Sequence, residues 1–114
     1  MSENAQAIEV QNLLAGIAQA GQDEMVTAIL ERQGLRIERI VSHGHTTPAD
    51  QPYQQAEDEW VMVVEGAARL WLDGNGEVEL ARGDHLLIPA GVRHRVTWTT
   101  PERSTVWLAV HIAR

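Results

Sequence analysis

The stretch Gly83 to His94, GDHLLIPAGVRH, decides the fold. It holds a short β-rich run, HLLIPAG (85–91), closed by proline and glycine, and it ends where a second run opens, HRVTWT (94–99). Working outward, the same texture recurs on both sides: LRIERIVSHGH (35–45), EWVMVVEG (59–66), ARLWLDG (68–74), EVELARG (77–83) and STVWLAVHI (104–112). Seven candidate strands between residues 35 and 112 are too many for one small sheet. Chains this rich in strands escape open edges by closing into a barrel or a sandwich. Asp73-Gly74-Asn75-Gly76 lies between two alternating runs and predicts a hairpin, because Gly and Asn tolerate the positive φ of tight turns.

The N-terminal part has a different texture. Residues 5 to 21 are Ala- and Gln-rich, with Leu13, Leu14, Ile17 and Ala18 spaced for a short helix or helical turn, while Gly16 weakens a helix and Ile8 and Val10 suit a strand equally. Residues 24 to 30, EMVTAIL, read as helix or strand, and Gly34 closes them. The expected organisation is a single domain: an N-terminal segment, 1–34, packed on a barrel of residues 35–114. A long polar linker, TTPADQPYQQAED (46–58), interrupts the β texture, and loops of that length in compact domains are often functional lids.

Composition narrows the chemistry. The 114 residues carry sixteen acids against nine bases, a formal charge of −7 that repels nucleic acid and anionic membrane surfaces. With no cysteine, thiol nucleophiles, disulfides and thiolate-bound metals are excluded. All nine bases are Arg, and without lysine there is no Schiff base and no P-loop clamp. Ser2, Ser42 and Ser104 are the only serines, and none sits in a nucleophile elbow. Neither a membrane span nor a signal peptide is expected, which makes the cytoplasm the expected compartment. Catalysis is left to His, carboxylate, Arg and a metal.

His43 and His45 lie two apart at the end of a β run, where strand alternation would send both imidazoles to one side, as a metal requires, or leave them at an exposed strand end. His94 shares its strand parity with Val96 and Trp98, and Glu59 shares its own with Val61 and Val63. These residues resemble the cupin family, whose pattern is G-x5-H-x-H-x(3,4)-E-x6-G followed by G-x5-P-x-G-x2-H-x3-N. Gly83, Pro89, Gly91 and His94 meet the second part in spacing, with Trp98 in place of its final Asn. His43-Gly44-His45 supplies H-x-H, and Glu59 to Gly66 supplies E-x6-G. The resemblance spans residues 43 to 98 and implies an all-β, double-stranded β-helix (jelly-roll) barrel with a short helical N-terminal segment.

It also implies a metal site of His43, His45, Glu59 and His94, holding Fe, Mn, Ni or Zn. Thirteen residues separate His45 from Glu59, more than the pattern allows, and Asp50, at the expected spacing from His45, rivals Glu59 as the acid. The inserted loop and Glu57-Asp58-Glu59-Trp60 resemble a subgroup of small stand-alone cupins. Tyr53, Gln54 and Gln55 either close over the site and bind substrate or form a solvated loop; Tyr53 and Gln55 are kept as pocket candidates. Arg39 shares parity with Ile37 and Val41, so it points into the barrel or makes a surface ion pair. Trp98 is expected as an apolar pocket wall, whereas His85 and His111 read as structural. The function implied is a metal-dependent oxygenase or an isomerase or lyase acting on a small organic molecule. Its alternatives are a non-catalytic small-molecule binding module and a structural dimer with vestigial histidines. The apolar outer positions Trp60, Met62 and Val64 predict a homodimer.

Overall fold

The computed structural model describes residues 7–17 and 24–114. The described residues form eight strands: β1 (Met25–Arg32), β2 (Leu35–Ser42), β3 (Asp58–Glu65), β4 (Ala67–Leu72), β5 (Gly76–Ala81), β6 (His85–Ile88), β7 (His94–Thr99) and β8 (Thr105–Ile112). They pair into a five-stranded sheet of order β1-β2-β8-β3-β6 and a three-stranded sheet of order β5-β4-β7, every pairing antiparallel. This is the expected all-β, two-sheet barrel. No described helix is long and apolar enough to cross a membrane.

Period-two alternation builds the core. On β3, Glu59, Val61 and Val63 turn inward while Trp60, Met62 and Val64 turn outward. From the facing sheet, Ala68, Leu70, Leu72 and Leu80 meet them, with Ile88, Trp107 and Ala109 completing the packed interior. Two turns need glycine. Asp73–Asn75 connects β4 to β5, with Gly74 at φ 85° and the Asn75 N–H donating to Leu72 O at 2.9 Å. Gly66, at φ 88°, links β3 to β4 so tightly that a Cβ there would stand 2.7 Å from Thr105 Cα.

Residues 25–32 are strand. Their β-branched Val26, Thr27 and Ile29 suit an extended chain, and the two-residue turn Gln33-Gly34 folds them back against β2. The five-stranded sheet therefore begins at Met25 and draws β1 from the N-terminal segment 1–34. Within residues 7–17 the expected helix is a single turn over 13–16, in which Asn12 Oδ1 accepts from Leu14 N–H at 2.8 Å. The rest of that expected segment, residues 5, 6 and 18–21, lies outside the described residues.

The long loop is stitched down. Tyr53 and His94 exchange both main-chain hydrogen bonds, at 2.8 and 2.9 Å. Thr47 N–H donates to Val96 O at 2.9 Å and Gly91 N–H to Gln55 O at 2.7 Å. The loop thus runs along the free edge of β7 as a fixed wall rather than a lid, satisfying backbone groups that an edge strand would leave open.

Candidate functional site

Between the two sheets lies a cavity of about 170 Å³. Its apolar walls include Ile40, Val61, Leu70, Ile88, Val96 and Trp107, and its polar groups are Glu24, Glu38, Tyr53, Gln55, Glu59, His94 and His111. Glu59 and His94 reach it from the two different sheets because each is the inward residue of its strand register, opposite Ile88 and Leu72 respectively.

His94 is 5% exposed, and its ring is fixed at both nitrogens. Nδ1 lies 3.0 Å from Val92 O, which only accepts, so Nδ1 carries a proton and Nε2 turns toward Glu59 Oε1 at 3.3 Å. Burial alone would lower the His94 pKa; the Glu59 hydrogen bond, the Val92 carbonyl and the Glu59 charge outweigh it and raise the pKa. The Tyr53 ring lies 5.6 Å from the His94 ring. Burial raises the pKa of its hydroxyl, and the charges of Glu24 and Glu59 raise it further against an opposing hydrogen bond with Thr47.

A second imidazole–carboxylate pair occupies the same cavity. His111 Nε2 is 3.1 Å from Glu38 Oε1, and His111 Nδ1, buried without a hydrogen-bond partner, is 3.8 Å from Glu57 Oε1. His111 is therefore a cavity residue, not the structural one expected from its position beyond the motif. Its signal was the alternation of Trp107, Ala109 and His111 along β8, which puts all three on the inner face. Glu38 was also missed. Leu35, Ile37 and Val41 on one parity of β2 are as apolar as Ile40 on the other, so parity alone does not say which face is inside.

Gln55, Tyr53, Glu59 and His94 line the cavity; His43, His45, Asp50, Trp98 and Arg39 do not. β2 ends at Ser42, and Gly44, at φ 74°, breaks the extended chain, so strand alternation does not govern His43 and His45. His43 is exposed with Nε2 3.0 Å from Pro101 O, and His45 Nδ1 accepts from His43 N–H at 2.8 Å. Asp50 is exposed on the loop. Trp98 faces outward because a bulge at Thr97 shifts register: Val96 pairs with Leu70 but Trp98 with Arg69, whose guanidinium lies 5.1 Å from the Trp98 ring. Arg39 lies on the outer face of β2 and donates to Leu13 O at 2.9 Å and Ala15 O at 2.6 Å, clamping the N-terminal turn.

The three-histidine, one-carboxylate set implied by the resemblance does not assemble around the cavity, which holds two of its four members. Among the described residues, no three His, Asp or Glu side chains converge to hold a metal ion.

Fold and cavity together define a small β-barrel with a cavity between two antiparallel sheets. The chain belongs to the cupin domain family, whose model matches residues 37–111. A Ralstonia eutropha JMP134 protein that carries the provisional name mannose-6-phosphate isomerase is 42% identical, with 94% of this chain and 100% of that chain covered and a TM-score of 0.89. A Streptococcus pyogenes protein of unknown function is 20% identical over 100% of this chain and 96% of its own, with a TM-score of 0.72. A Desulfitobacterium hafniense DCB-2 cupin superfamily protein is 13% identical over 96% of this chain and 97% of its own, at the same TM-score of 0.72. The last two likenesses show the fold alone. No curated protein matches the chain in sequence.

Proposed function

We propose that this chain is a small-molecule cupin whose cavity binds a small carbonyl compound and whose Glu59–His94 pair moves a proton on it, chemistry of the isomerase type. The observation that carries the reading is the commitment of His94 Nδ1–H to Val92 O, which leaves one proton to be shared between Nε2 and Glu59 Oε1, 3.3 Å apart. A carboxylate beside a buried imidazole in a partly apolar site is suited to take a proton next to a carbonyl and return it at the neighbouring atom. The Tyr53 hydroxyl, protonated at neutral pH as any tyrosine of ordinary or raised pKa is, is a donor for the developing oxyanion.

The name attached to the R. eutropha relative points to a phosphorylated sugar, and we do not carry that substrate over. A phosphate dianion needs cationic partners; this chain has no lysine, and no arginine is among the described residues lining the cavity. At about 170 Å³, the space suits a ligand of roughly benzene's size.

The test is hydrogen–deuterium exchange into small ketones and hydroxyketones, dihydroxyacetone first, followed by proton NMR with protein in deuterated buffer. Exchange catalysed by the wild type and lost in Glu59→Gln supports the reading. Ligand binding without exchange by any compound would assign a non-catalytic binding module instead.

A further inference from the structure

Carboxylates are the commonest polar groups lining the cavity. Glu24, Glu38 and Glu59 present carboxylates to it, and Gln55 Oε1 is buried there without a hydrogen-bond partner. Glu24 is positioned by a relay in which Trp107 Nε1–H donates to Ser42 Oγ at 3.3 Å and Ser42 Oγ–H donates to Glu24 Oε2 at 2.5 Å. Cations are fewer. Arg36 pairs with both Glu38 and Glu57, each at 3.3 Å, His94 faces Glu59, and His111 lies between Glu38 and Glu57, so Glu24, Glu38, Glu57 and Glu59 meet one guanidinium and two imidazoles. His111 supplies an independent sign of a missing donor. It is 3% exposed, its Nε2 is engaged by Glu38, and its Nδ1 has no hydrogen-bond partner. Buried acceptors left without donors are costly, and a ligand rich in N–H groups satisfies them.

We propose that the ligand of this cavity is a small organic cation carrying a protonated amine, held by the carboxylates of Glu24 and Glu38 with Gln55 Oε1 and His111 Nδ1 accepting its N–H or O–H groups. Trp107 is among the residues that line the cavity, and an indole is the aromatic side chain best suited to receive a cation. The inference deepens the proposed function by naming the charge of its substrate, and it rests on that reading only in taking this cavity as the ligand site.

The test is calorimetry on the full chain near neutral pH with cyclopentylammonium chloride, cyclopentanecarboxylate and inorganic phosphate, the first two matched in size and opposite in charge. Cyclopentylammonium is expected to bind at least about tenfold more tightly than either anion. Glu24→Gln and Glu38→Gln, each checked for native circular dichroism, are expected to weaken it at least about threefold while leaving carboxylate binding no weaker. Glu24 lies ahead of β1, so its variant remains informative if Glu38→Gln fails to fold. Equal affinity for an anion, saturation by none of the three probes, or unchanged ammonium binding in folded variants would overturn the inference. So would a titration in which Mn²⁺ binds and displaces the ammonium, which would assign these carboxylates to a metal. Glu59 and His94 are untouched by these variants. Absence of exchange by the wild type with an intact ammonium preference strikes the proton-transfer reading alone, and Glu59-dependent exchange without an ammonium preference strikes this one.

Discussion

His94 Nε2 and Glu59 Oε1 meet 3.3 Å apart inside the barrel although they come from different sheets, and the opposite ring nitrogen is already spent on the Val92 carbonyl. The ring can therefore only exchange a proton with Glu59 or with something in the cavity. Glu59→Gln keeps the shape but removes the base, so exchange into dihydroxyacetone should fall by about a hundredfold or more. His94→Gln should fall similarly. Exchange that persists in both variants, measured by NMR, would make the pair structural.

The same pair sets a pH dependence of stability. The His94 pKa is raised above its ordinary value of 6.5, since burial, which lowers it, is outweighed by the Glu59 hydrogen bond, the Val92 carbonyl and the Glu59 charge. A raised pKa means that the folded state binds the proton more tightly than the unfolded chain. The stabilisation is then fully present below 6.5 and is lost as pH climbs through the higher folded value. Urea midpoints should decline across that window in the wild type and decline less in His94→Gln; parallel curves would count against the assignment.

How much of this was legible in the sequence depended on the element. On β3 the alternation of Glu59, Val61 and Val63 is unambiguous and places all three on one strand face, the face turned inward. β2 carries apolar residues on both parities, so Arg39 and Glu38 were interchangeable by pattern, and Val41, on the parity of Arg39, is buried as well. Trp98 was misplaced by one extra residue at Thr97, which inverts every side chain beyond it, and such a bulge has no fixed sequence mark. His43 and His45 matched a motif whose geometry Gly44 undoes.

Gly66 shows how narrow one of these connections is. A Cβ at this position would lie 2.5 Å from Thr105 Oγ1 and 2.7 Å from Thr105 Cα, with Ser104 O at 2.9 Å, and φ is already 88°. Two of those three atoms are backbone, so no side-chain rotation relieves the overlap. Gly66→Ala should cost roughly 2–4 kcal/mol in urea unfolding. A loss below roughly 1 kcal/mol would mean the β3–β4 link relaxes more freely than its packing against β8 implies.

Arg39 permits a test of the N-terminal turn apart from the cavity. Its Nη1 donates to two carbonyls of that turn, at 2.9 and 2.6 Å, and its Nη2 to Thr27 Oγ1 at 3.4 Å. Arg39→Ala removes these bonds and should destabilise the chain by about 1–2 kcal/mol, since carbonyls at a partly exposed site regain water. Amide exchange should accelerate at residues 13–16, while exchange catalysed by Glu59 and His94 stays at the wild-type rate.

His43 and His45 allow the motif and the cavity to be separated experimentally. Both lie beyond the end of β2, one against the Pro101 carbonyl and the other against the His43 amide, and neither lines the cavity. The double variant His43→Ala, His45→Ala should therefore retain the Glu59-dependent exchange within about twofold, as expected for a surface change away from the site. If it instead abolishes exchange as fully as Glu59→Gln does, with the barrel intact by circular dichroism, the H-x-H pair belongs to the working site, and the chain must reach it in an arrangement other than the one described.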